Sequence, residues 1–262
     1  MQIASITIQA APIRRAASAV RTRAHADAAA NHDRMRCSAC NLRDLCLPSG
    51  LAQDQMDVFS DTVFTRRRVK RGDALYHLGE EFNAIYAVRA GFFKSSVVLE
   101  DGRDQVTGFH MAGEIVGMDG IGTDRYATDV IALEDSEVCI IPRARLEDAA
   151  MQRQLHKAMS RELVRDQGVM MLLGTMRAEE RLAAFLLNLS TRFVARGFSQ
   201  SEFHLRMTRE EIGSYLGMKL ETVSRLFSRF HDEDLIDVRQ KHVRIRDPEG
   251  LRALIAPPSR AA

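Results

Sequence analysis

From about residue 51 to residue 142 the apolar positions come in short β-rich runs such as "AIYAVRAG", "FFKSSVVLE" and "DVIALEDSEVCIIP". Nine of the sixteen glycines fall between Gly72 and Gly122, so turns recur at short intervals. Short strands punctuated this way predict an all-β barrel, sandwich or roll. After Pro142 the period changes. Residues 146–176 hold almost nothing that breaks a helix apart from Gly168 and Gly174. Within that run Met159, Leu163, Asp166, Met170 and Leu173 step by 4, 3, 4 and 3. This heptad seam suits a helix paired with a partner, and it also suits an amphipathic helix lying on its own domain. A second helix, "AEERLAAFLLNLSTRFVARG", follows, and a compact C-terminal region runs from about Phe203 to Arg246.

The pattern in "MTREEIGSYLGMKLETVSRLFSRF" is the most specific. Thr208 followed by Glu211 forms a capping box that starts a short helix. Gly217 sits where a second helix must turn sharply away, in a conformation glycine accepts without strain. Ile212, Leu216, Met218, Val223 and Leu226 supply contacts to lock two crossed helices, and small Gly213 lets the backbones approach. The whole predicts a helix-turn-helix whose second helix, about Leu220 to Arg229, presents Glu221, Ser224 and Arg225 on one face. Arg225 can bond O6 and N7 of guanine, Glu221 can accept from a cytosine amino group, and Ser224 suits either kind of partner. A surface ion pair between Glu221 and Arg225 is the plainer alternative. "LIDVRQKHVRIRD" alternates apolar and basic residues around Gln240-Lys241, predicting a β-hairpin wing with Arg239, Lys241, Arg244 or Arg246 available to phosphates. Two such heads on a paired helix would lie about one DNA turn apart, roughly 34 Å, and imply a palindromic operator.

Composition adds limits. The chain has 262 residues, 45% hydrophobic and 27% charged, with a net charge of only +2. That is enough for one large or two ordinary domains, and the charge balance by itself points to neither nucleic acid nor membrane. No stretch approaches the length of a membrane-spanning helix. The first thirty residues place their arginines after the apolar run, the reverse of an export signal. Residues 1–36 are expected to form a disordered basic tail, with an organelle transit peptide as the alternative. The expected location is the cytoplasm. The sequence carries no phosphate-cradling glycine motif, no H-E-x-x-H and no nucleophile with an evident base, so no catalytic residue is assigned and an enzyme is not expected.

Three of the four cysteines, Cys37, Cys40 and Cys46, lie within ten positions, in "MRCSACNLRDLCLPSG", and Cys139 lies far downstream in an apolar strand-like run. In a reducing compartment they are free for metal or redox work. Four thiolates suit an iron–sulfur cluster or structural zinc, and a disulfide switch is a third reading. Taken alone, Cys139 reads as a core residue. Leu42, Leu45 and Leu47 would shield a bound group, or simply pack the segment down.

Taken together, these parts resemble the CRP/FNR transcription regulators, and among them the FNR type, which senses oxygen through a [4Fe-4S] cluster. The resemblance spans about residues 35–250. It is carried by the cysteine spacing and by "QVTGFHMAGEIVG", "AEERLAAFLLNLSTRF", "RGFS" and "MTREEIGSYLGMKLETVSRLF", with the E-x-x-S-R signature at Glu221, Ser224 and Arg225. It implies an α+β chain: a cysteine segment over 37–50, a cyclic-nucleotide-binding-like β-roll over 51–142, a dimerisation helix over 146–176 and a winged helix-turn-helix over 177–250. Cys37, Cys40, Cys46 and Cys139 would be the cluster ligands. The operator would resemble TTGAT–N4–ATCAA, with Glu221 and Arg225 on the G·C pair of each half-site and Ser224 near a thymine. The partners implied are double-stranded DNA, a second copy of the chain and RNA polymerase. The polymerase would be met by the turn "EDGRD" (Asp101, Gly102, Arg103) and by the "RGFS" loop with Phe198 exposed. Arg103 departs from the acidic residue common in that loop.

Two further expectations follow. Cyclic-nucleotide binding is the alternative within the fold, with Glu114 for ribose and Arg125 for phosphate, although the interval differs by a residue and Tyr126 replaces a small hydroxyl residue. On the helix seam, Asp166 would face its own copy across a two-fold axis, where two carboxylates repel. Otherwise it points outward to a partner such as Arg165.

Overall fold

The computed structural model describes residues 37–51, 65–99 and 102–255. The expected tail over 1–36, and Asp101 of the polymerase turn, lie outside them. The β-rich runs fold into two four-stranded antiparallel sheets. One has the order β1 (Thr65–Val69), β8 (Ser136–Pro142), β3 (Ala84–Ala90), β6 (Ile115–Val116). The other has β2 (Ala74–Tyr76), β7 (Asp129–Ala132), β4 (Phe92–Val98), β5 (Asp104–Met111). The sheets enclose Phe82, Ile85, Phe93, Val138 and Ile141, all 2% exposed or less. Gly102, at φ 82°, sits in the turn that closes the β4–β5 hairpin.

Helix α1 (Ala149–Thr175) is 27 residues long, about 40 Å. Its two halves do different things. Met151, Leu155 and Ala158, one face of the first three turns, are buried in the core of the roll. Beyond them Met159, Leu163 and Met170 are 42%, 58% and 63% exposed, an apolar stripe that the single chain leaves uncovered. Leu173, the last seam position, is half-buried.

Helix α2 (Ala178–Val194) buries Leu182, Leu186 and Leu189 beneath α3 (Arg209–Leu216) and α4 (Leu220–Asp232). The expected capping box is present, with Glu211 N–H donating to Thr208 Oγ1 at 3.1 Å and Thr208 N–H to Glu211 Oε2 at 2.7 Å. The wing is β10 (Ile236–Arg239) and β11 (His242–Ile245), and β9 (Glu202–His204) adds a third strand beyond β11. Helix α5 (Pro248–Ile255) extends the head past the last expected element and buries Leu251 in its core.

Roll and head share a core. Phe92, Val106, Phe109 and Met111 of β4 and β5 belong to the same apolar cluster as α2–α5. The exposed edge of β5 is capped by α3. Val106 N–H donates to Ser214 Oγ at 2.8 Å, and the same hydroxyl donates to Asp104 O at 3.0 Å. Lys94 bridges Glu211 (3.0 Å) and Asp104 (3.3 Å) across the junction. An open strand edge is thereby satisfied by the C-terminal head.

Candidate functional site: a four-cysteine cavity and a recognition helix

Residues 37–51 form a strap of tight turns, opened by a short 3-10 turn over Cys37–Ala39 and held by bonds such as Cys46 N–H to Leu42 O at 2.9 Å. Cys139 lies on β8, opposite Ala87 of β3 and Arg66 of β1. Folding the strap over this sheet brings Cys37, Cys40, Cys46 and Cys139 around one cavity of about 40 Å³, closed by Leu42, Leu47, Val88 and Ile141. Arg89 Nη1 approaches Cys40 Sγ at 3.8 Å, and its Nε pairs with Glu137 at 2.8 Å. Leu45, expected among the shielding leucines, turns away and lies against Gly113 and the α1 side of the strap.

The thiols are costly to ionise as they stand. Burial, with Cys139 and Cys40 nearby, pushes Cys37 up to about 12. Burial likewise pushes Cys46 up to about 12 against a backbone bond that lowers it. Cys139 is raised by burial despite Arg89 and Arg66. Thiolates in so apolar a site require a cation among them, and a soft one suits four sulfurs. The donor set therefore fits a thiolate-ligated iron–sulfur group. Among the described residues no three His, Cys, Asp or Glu side chains are grouped to hold a single metal ion.

At the other end of the chain Val223, Phe227 and Phe230 anchor α4, all 1% exposed or less. Its opposite face carries Glu221 and Arg225 exposed and Ser224 half-buried. Arg229 is tied to Glu179 (2.5 Å) and Glu233 (2.7 Å), while Arg225 beside it stays at the surface. Arg209 lies over the Phe227 ring at 4.8 Å, at the mouth of an open groove it shares with Ser224 and Arg225. Gly102 and Arg103 are exposed at the hairpin tip, and Phe198 is 62% exposed.

Glu114 requires a correction. It does not turn toward a ribose. It accepts from Arg192 Nη2 (2.7 Å), Arg196 Nη2 (2.7 Å) and Arg165 Nη1 (3.0 Å). Burial would raise its carboxyl, but Arg192, Arg165 and Arg196 more than offset that and hold it at about 2. Arg125 is exposed and donates to Gly79 O at 2.7 Å. Tyr126 is buried, stacked on Tyr76 with centroids 3.8 Å apart. The two residues proposed for a nucleotide therefore do not face each other. Sequence reasoning missed the arginine cluster; the one signal was three arginines, on α1, on α2 and in the turn just after α2, which looks the same as a solvated face. Arg165, engaged by Glu114 and by Glu162, is also removed as a partner for Asp166.

Known proteins match over most of this length. A Crp-like helix-turn-helix domain matches residues 180–254, and a cyclic nucleotide-binding domain matches residues 66–153. The chain is 46% identical over 228 residues to the transcriptional regulatory protein btr of Bordetella pertussis, covering 85% of this chain and 94% of that one. It is 44% identical to the transcriptional activator protein anr of Pseudomonas aeruginosa, covering 83% and 91%. It is 40% identical to the fumarate and nitrate reduction regulatory protein of Salmonella typhimurium, covering 84% and 90%. Among solved structures, FixK2 from Bradyrhizobium japonicum superposes with a TM-score of 0.69 at 30% identity, covering 75% of this chain and all of that one.

Proposed function

This chain belongs to the CRP/FNR family of transcription regulators, and we propose that it is a DNA-binding activator whose operator affinity is set by an oxygen-labile [4Fe-4S] cluster. The observation that carries the reading is the four thiols around one apolar cavity between the strap and the roll. Relatives named as fumarate and nitrate reduction and Anr regulators support it.

Cys37, Cys40, Cys46 and Cys139 would hold the cluster, which when bound supplies the positive charge that keeps four buried thiolates ionised and a chemistry that oxygen destroys. Leu42 and Leu47 limit solvent access. The exposed stripe of Met159, Leu163 and Met170 pairs with its copy, and Asp166 opposes that pairing until the strap and α1 settle together. Two paired α4 helices then enter successive major grooves. There Arg225 and Glu221 read a G·C pair, Ser224 sits near a thymine, and the operator is a TTGAT–N4–ATCAA palindrome. The turn holding Gly102 and Arg103, with Phe198, faces RNA polymerase, and Asp101 is the further residue the resemblance adds to that contact.

The test is a visible spectrum with iron and sulfide assays on protein purified without oxygen, then exposed to air. A brown chromophore that bleaches as operator affinity falls is expected, and Cys139→Ser should lose it. A colourless protein carrying zinc and binding operator equally in both gases would overturn the sensor.

A further inference from the structure

Glu114 sits where the three parts of the molecule meet. It is the last residue of the three-residue turn between β5 and β6, and its side chain is 14% exposed. One arginine of the pairing helix, Arg165, and two of the head, Arg192 and Arg196, converge on this one carboxylate. The two head arginines also grip the surrounding backbone. Arg192 donates to Phe109 O at 2.6 Å, and Arg196 to Ala112 O at 2.5 Å. Without the carboxylate, three partly buried guanidiniums would face one another with Glu162, among the described residues, left to pair with Arg165.

Two independent contacts join this turn to the cysteine cavity. The strap bears on it directly, since a Cβ at Gly113 would lie 2.8 Å from Leu45 Cβ, and Gly113 holds φ 90°, where only glycine is unstrained. The cavity wall bears on it through the backbone. Val88, which lines the cavity, donates to Glu114 O at 2.9 Å and accepts from Gly113 N–H at 2.8 Å. The cavity admits no more than a few water-sized bodies. A group of several metal and sulfur atoms seated between the sulfurs would be larger than that and would displace strap or wall, both of which bear on Gly113–Glu114.

We infer that Glu114 is the positioning residue that transmits the state of the cysteine segment to the pairing helix through Arg165 and to the DNA-reading head through Arg192 and Arg196. This rests on the proposed cluster-dependent function and adds its route. Charge neutralisation at this one position should leave the cysteine site able to load while disconnecting it from DNA binding.

The experiment compares full-length wild type with Glu114→Gln, each with and without reconstituted cluster. It measures iron content, sedimentation and operator affinity. Iron content should match wild type, while the loaded-to-unloaded affinity ratio falls at least fivefold. Glu114→Asp, which keeps the charge, should recover most of that ratio, and a destabilised variant in the core of the roll away from the arginines, Leu75→Ala, should keep it. If Glu114→Gln loads and responds as wild type does, the inference is wrong. If Glu114→Gln fails to unfold cooperatively on heating, Arg165→Gln replaces it, cutting only the helix arm. Dimerisation should then cease to follow loading, and dimerisation that still follows it overturns the inference. A wild type whose operator affinity ignores loading sinks the underlying function instead, a distinguishable failure.

Discussion

Gly217 holds φ 64° and ψ 40° at the end of α3, where its N–H and that of Met218 close the helix onto Ser214 and Gly213. An L-residue pays roughly 1–2 kcal/mol for that conformation. Gly217→Ala should therefore lower stability by about 1–2 kcal/mol, read as an earlier urea midpoint with unchanged slope. Arg181 guards the same corner, donating to the carbonyls of Leu173, Met176 and Leu216 and so fastening the end of α1 to the helix-turn-helix. Single residues are legible in a sequence when their role is set by near neighbours, as for Gly217 and for Thr208 with Glu211. Glu114 shows the opposite. Its spacing to Arg125 suggested a nucleotide site, but its partners come from helices far along the chain.

Helix α1 combines two surfaces, one spent on the roll and one uncovered. The heptad steps identified the second, and the first half of the helix is anchored by Met151, Leu155 and Ala158 instead. Asp166 is exposed among the uncovered seam positions. Two such carboxylates about 4 Å apart across a dimer axis cost on the order of 1–4 kcal/mol, depending on the local dielectric. Asp166→Ala should thus tighten dimerisation by roughly fivefold or more and give an operator-binding dimer in air. An aerobic monomer in the ultracentrifuge would show that repulsion at this position does not control pairing.

At the scale of the molecule, the roll and the head are joined by the Glu114 cluster, the Phe109–Tyr215 contact (5.1 Å between centroids) and Ser214 on the edge of β5. The folded Glu114 carboxyl titrates at about 2, against 4.5 for the ordinary group. Its contribution to stability is therefore complete above about pH 4.5 and lost as pH falls through 2, amounting to about 3 kcal/mol. Wild type should lose stability over that window, and Glu114→Gln should lose correspondingly less, in urea titrations at stepped pH. Equal acid sensitivity in both would mean that the carboxylate is not held ionised by its arginines. His110, beside this cluster, is held down to about 3 by burial, Arg165 and Arg192, so it also removes stability as pH falls from about 6.5 through 3, and the Glu114 signal is the difference between the two proteins.

By itself the sequence determined everything set over a few residues: the turn-punctuated strands, the heptad seam, the capped helix with its glycine turn and the two-residue wing turn at Gln240 and Lys241. These depend on periodicity and local backbone preference, which are written in consecutive residues. Only the tertiary structure decided how Cys139 on β8 comes to face Cys37, Cys40 and Cys46 on the strap, why Leu45 leaves that cavity for Gly113, and how one carboxylate gathers three arginines. Such contacts join residues that are remote along the chain. Their pairing is selected by burial and charge compensation in the folded interior, where an unpaired buried charge is too costly to persist.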